Sequence, residues 1–133
     1  MFALGGGTLR YLSEQEIELA SRFLFLSMAI VVIQQDIQSI QKGTTFKINE
    51  PYIELLKRME QKALTERREL RKHMADQQLK VVTLNKNDSF SSYLFICKGK
   101  EEKRNYFNPA IRKKVENIIS DLMPKALATS TTD

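Results

Sequence analysis

Few side chains in this sequence have the type and spacing for chemistry. His73 is the single histidine and Cys97 the single cysteine of 133 residues. A nucleophile–base triad or a His- or Cys-rich metal site would need partners the chain hardly offers. Cys97 closes an apolar run, the usual setting of a buried thiol; a reactive one would need its pKa lowered by neighbours such as Lys98. The carboxylate pairs Glu14/Glu18 and Glu101/Glu102 lie on polar stretches, where nothing pushes their pKa values apart for acid–base work. No G-x-G-x-x-G, G-x-x-x-x-G-K-[ST] or C-x-x-C occurs, and Gly5-Gly6-Gly7 lacks the preceding strand and following lysine of a phosphate cradle. These absences point away from an enzyme, and no cofactor or metal is expected.

What the chain does supply is cationic charge. The formal net charge is +5, unevenly placed: residues 1–50 hold four basic and five acidic residues, residues 51–133 seventeen and eleven. The candidate contacts to a polyanion are Arg67, Arg68, Arg71 and Lys72 on one stretch, Lys98, Lys100, Lys103 and Arg104 on a second, and Arg112 and Lys113 on a third. If these converge they can neutralise several phosphates, with Tyr93 or Tyr106 available for stacking on bases. The competing reading is a solvated surface, because Glu60, Glu66, Glu69, Glu101, Glu102 and Glu116 are interleaved and several lie three or four residues from a basic partner. No helix-turn-helix spacing, RNP aromatic pattern, GXXG loop or zinc-finger framework is present, so binding would rest on backbone charge without legible specificity.

The elements that must position these residues follow from periodicity and caps. Ser13 and Glu16 form a capping box, and the helix it opens continues to about Lys42, with Gly43 placed to end it. Asn49, Glu50 and Pro51 open a second helix running to Asp76 or Gln78. Tyr52, Leu56, Met59, Ala63, Leu70 and Met74 give it a narrow apolar stripe. Leu79–Leu84, Ser91–Cys97 and Lys103–Phe107 read as three strands separated by the turn formers 85–88 and by a tight connection at 98–102. Asn108-Pro109 starts a last helix with Ile111, Val115, Ile118, Ile119 and Leu122 at helical spacing, and Pro124 ends it.

The predicted architecture is therefore an α+β, mostly helical domain: a long helical hairpin, a three-stranded antiparallel meander and a C-terminal helix. Residues 1–12 are expected to form a loose arm, 13–124 the single domain and 125–133 a disordered tail.

The middle of the first helix is apolar all round, from Phe23 to Ile33, which is too short for the ~20 residues of a bilayer span. An all-round apolar helix needs neighbours on every side, and a second copy is the expected supplier, through Phe23, Phe25, Leu26, Ile30 and Ile33. The start of the sequence lacks the charged leader and apolar stretch of a secretory signal, and one lone cysteine suits a reducing compartment, so a cytoplasmic protein without membrane contact is expected. The functional expectation is a non-enzymatic regulatory protein, a homo-oligomer and most simply a homodimer, that offers its basic surface to nucleic acid or to an acidic protein. The alternative is a protein-binding adaptor or inhibitor that engages its partner through an apolar helical surface.

Overall fold

A computed structural model describes residues 11–44 and 46–132. Three helices and one sheet follow in the order α1 (Glu14–Lys42), α2 (Glu50–Asp76), β1 (Leu79–Lys86), β2 (Phe90–Cys97), β3 (Lys100–Phe107) and α3 (Asn108–Thr132). This is the α+β, mostly helical layout that periodicity implies, with a helical hairpin, a β1-β2-β3 antiparallel meander and a C-terminal helix. No helix among the described residues is long and apolar enough to cross a membrane.

Local chemistry fixes the element ends. The Glu16 amide donates to Ser13 Oγ at 3.1 Å, and the Ser13 amide donates to Glu16 Oε1 at 2.8 Å, completing the capping box at the start of α1. The β2–β3 connection is only Lys98-Gly99, both with positive φ (52° and 82°). That is the primed hairpin turn whose twist matches the strands, and glycine adopts its second position without strain. β3 therefore begins at Lys100, three residues earlier than the sequence pattern suggests. β1 also outruns its expected end, passing an irregularity between Thr83 and Asn85 before Asn85 and Lys86 pair with Ser92 and Ser91. Leu84 is the extra residue, and the bulge lets turn-forming asparagine stay in the ladder.

The chain divides into two compact units, Met1–Leu24 with Glu69–Lys113 and Phe25–Arg68 with Lys114–Asp133. Each unit draws on a stretch of all three helices.

The second unit is helical. Its core holds Phe25, Leu26, Ala29, Ile30, Ile33 and Ile37 from α1, Met59 and Ala63 from α2, and Val115, Ile118, Leu122 and Ala126 from α3. The Arg67 Nε donates to Ser27 Oγ at 2.8 Å and Gln34 Nε2 to Glu60 Oε2 at 2.9 Å, tying α1 to α2. One expectation is corrected here. The last helix does not stop at Pro124 but runs to Thr132. An internal proline costs about 3 kcal/mol, and the burial of Leu122 and of Ala126, which continues the 115–118–122 stripe, offsets it. Phe25, Leu26, Ile30 and Ile33, expected at an oligomer interface, are buried within the single chain.

The first unit holds the sheet, the start of α1, the end of α2 and the start of α3. Its core is Leu12, Ala20, Met74, Leu79, Tyr93, Phe95 and Cys97. Leu12 thus belongs to the core rather than to an arm; residues 1–10 lie outside the described residues. Asn108 ties the start of α3 to the sheet, accepting from Ser91 Oγ at 2.8 Å and donating from Nδ2 to the Asn87 carbonyl at 2.8 Å.

Candidate interaction surface

Alternation along β2 sorts the sheet into two faces. Ser91, Tyr93, Phe95 and Cys97 are all buried and define the inner face. Phe90, Ser92, Leu94 and Ile96 point the other way. The ladder extends that outer face into three cross-strand rows, Lys80–Ile96–Glu101, Val82–Leu94–Lys103 and Asn85–Ser92–Asn105, with the pair Phe90–Phe107 beyond them. Leu94 and Ile96 are half-buried among their neighbours, but Val82, Phe90 and Phe107 are 42%, 47% and 52% exposed. The Phe90 and Phe107 rings stack at a tilt, 5.5 Å between centroids. The face is thus aliphatic in the middle, aromatic at one end and charged at its two edges.

The inner face carries a polar knot. Glu16 Oε2 and the Gln77 carbonyl lie 3.4 and 3.2 Å from the Cys97 thiol, and Lys100 Nζ donates to Glu16 Oε1 at 3.3 Å. The Ser13 amide, foremost, holds the Glu16 carboxyl below the usual carboxylate range; burial opposes this, and Cys97 and Lys100 add to it. Burial pushes the Cys97 thiol up, and the neighbouring carboxylate pushes it further. This is the opposite of what nucleophilic chemistry needs, so the knot fastens β2 and β3 to α1 and leaves the thiol inert. The carboxylate pairs are equally unsuited to shared work: Glu101 and Glu102 point to opposite faces of β3, and Glu14 and Glu18 are exposed. His73 is exposed near the end of α2. Among the described residues no three His, Cys, Asp or Glu side chains are grouped to hold a metal ion.

Of the ten expected cations, those of the hairpin divide between the two faces of the sheet. Alternation turns Lys100 and Arg104 to the inner face, where Lys100 pairs with Glu16 and Arg104 Nε lies 2.8 Å from Glu102 Oε2. That Nε nevertheless makes no directed hydrogen bond, so the pair is a charge contact. Lys103 projects from the outer face instead, and the hairpin cannot present all its cations on one surface. Arg71, Lys72, Lys98, Arg112 and Lys113 are exposed in the first unit. Arg67 and Arg68 belong to the second unit, the former engaged with Ser27. Tyr93 is buried, and burial raises its pKa; it is therefore unavailable for stacking on a base. Of the expected interface residues, Phe23 alone is only half-buried.

A family model described as YhjD protein matches residues 11–127. The chain belongs to the YhjD family. It is 31% identical over 109 residues to YhjD of Bacillus subtilis (strain 168), covering 82% of this chain and 90% of that one. No solved structure matches. The YhjD match spans the whole sheet and reaches past Pro124 to residue 127, so the outer face and most of α3 lie within the family region.

Reading Ser91–Cys97 as one apolar strand does not by itself separate its inner from its outer residues. The signal was present: a half-solvated antiparallel strand alternates apolar with polar residues, whereas Tyr93-Leu94-Phe95-Ile96 is apolar on both sides.

Proposed function

We propose that this YhjD-family chain is a non-enzymatic protein that works by binding another polypeptide through the outer face of its sheet. The observation that carries the reading is the two-sided apolar character of β2. Leu94 and Ile96 occupy the solvent side of an antiparallel sheet and continue into Val82, Phe90 and Phe107, all exposed. Grouped apolar side chains of this kind are disfavoured on a free surface and mark a site of association. The polar rim of Lys80, Glu101, Lys103 and Asn105 gives the apolar centre and wet border found in protein interfaces. The reading keeps the adaptor-like function the sequence raised and moves its surface from helix to sheet.

The test is oxidative footprinting of Phe90, Leu94, Ile96 and Phe107, in intact cells producing the full chain and in dilute purified protein. Protection in cells relative to the dilute protein is expected; equal labelling contradicts the reading.

Nucleic acid is the second reading, favoured by ten basic against five acidic residues between positions 69 and 113 and by the exposure of Arg71, Lys72, Lys98, Lys103 and Lys113. It requires binding to generic duplex or single strands that weakens steeply with salt. Fluorescence titration at two salt concentrations decides it, and no binding at low salt removes it.

A further inference from the structure

The outer face carries charge as well as grease, and the charges are ordered. In the row Lys80–Ile96–Glu101 the two ionic residues stand on opposite edges of the sheet with an aliphatic residue between them. Strands lie about 4.8 Å apart, so two strand spacings separate their backbones, about 10 Å. Both are exposed, and neither has an ion-pair partner among the described residues.

Placing one copy of this face on another gives two simple symmetric arrangements. With a two-fold axis running along β2, β1 of each copy lies over β3 of the other and every row meets itself. Lys80 then faces Glu101 of the second copy, Glu101 faces its Lys80, Ile96 meets Ile96 and Leu94 meets Leu94. In the row Val82–Leu94–Lys103, the lysine stem lies along the opposing Val82 with its ammonium free to reach water. With the axis across the strands through the Leu94 row, the Lys80 row would instead meet the Asn85–Ser92–Asn105 row, and neither charge would find its opposite. Both arrangements keep the strands of the two sheets aligned, as stacked sheets ordinarily are, but only the first pairs both charges and stacks Ile96 as well as Leu94 on itself. A self-complementary patch of this kind is what an isologous dimer requires.

Resting on the reading that the outer face binds a polypeptide, we propose that its occupant is a second copy of this chain, docked face to face about an axis along β2 with Lys80 of each copy against Glu101 of the other.

The experiment is sedimentation equilibrium of the full chain from low to high micromolar concentration, for wild type, Lys80→Glu, Glu101→Lys and the double variant, with circular dichroism confirming that each folds. Wild type is expected to dimerise. Each single variant sets like charges against each other twice and is expected to weaken the dimer about tenfold or more, whereas the double variant restores both pairs to within about threefold of wild type. A wild type monomeric throughout overturns the proposal, as does a dimer indifferent to the swaps, which would be joined elsewhere. Footprinting keeps the two levels apart. Protection in cells with a monomeric purified protein overturns the second copy and leaves the broader reading standing; equal labelling in cells and in dilute protein overturns that reading itself.

Discussion

The two faces of one strand differ more than any two elements of this protein. On β2, Tyr93, Phe95 and Cys97 are buried, while on the opposite side Leu94 and Ile96 sit between exposed Val82, Phe90 and Phe107. Both sides are apolar, yet among the described residues only one is fully covered. The inner face explains why the sheet is stable, because a small meander must lay one side on helices to persist. On the proposed reading the outer face serves association instead, so the two sides of one strand would divide folding from binding.

The comparison breaks most visibly at its centre. Phe95→Ala empties a fully buried site and is expected to cost about 3–5 kcal/mol. Ile96→Ala, one residue along and on the other side, is expected to cost about 1 kcal/mol or less in dilute protein. Urea denaturation of both variants well below the association range checks this, and equal losses would mean that the outer face is a second core. Next in size is the cap that positions the inner knot: Ser13→Ala removes the hydroxyl accepting from the Glu16 amide and should cost about 1 kcal/mol by the same assay.

Acid sharpens the picture further. The folded state holds Glu16 below the ordinary carboxylate range, so its contribution is present at neutral pH and is lost as pH falls through the folded value. Glu16→Gln should lower stability at neutral pH and flatten that acid-side decline, which denaturation at stepped pH would follow. The smallest effect is a non-event. Cys97 is buried with its pKa raised, and a thiol reagent at neutral pH should label it only after denaturant is added; prompt labelling of native protein would show the inner face to be open.

Much of the fold was legible because its signals are local. The Ser13–Glu16 box and the Asn108-Pro109 start act over four residues or fewer, and each marks a real element end, whereas the connection expected over 98–102 is in fact the two-residue turn Lys98-Gly99. The errors came where a local signal met a longer-range gain. Pro124 reads as a stop, but α3 continues past it and Ala126 is buried. The basic residues were legible in number and not in direction, because the one-residue alternation that sends Lys103 outward and Lys100 and Arg104 inward depends on register. The candidate surface was the least legible part: its rows join residues from three strands, and only the pairing of Lys80 with Ile96 and of Ile96 with Glu101 reveals them.

The central claim, that the outer face of the sheet is built for association and not for folding, is tested most directly on Leu94→Glu by measuring solution mass and dilute-protein stability together. The expected result is a folded chain of nearly unchanged stability that stays at monomer mass where wild type is a dimer. Collapse of the fold, or a mass identical to that of wild type, would contradict it.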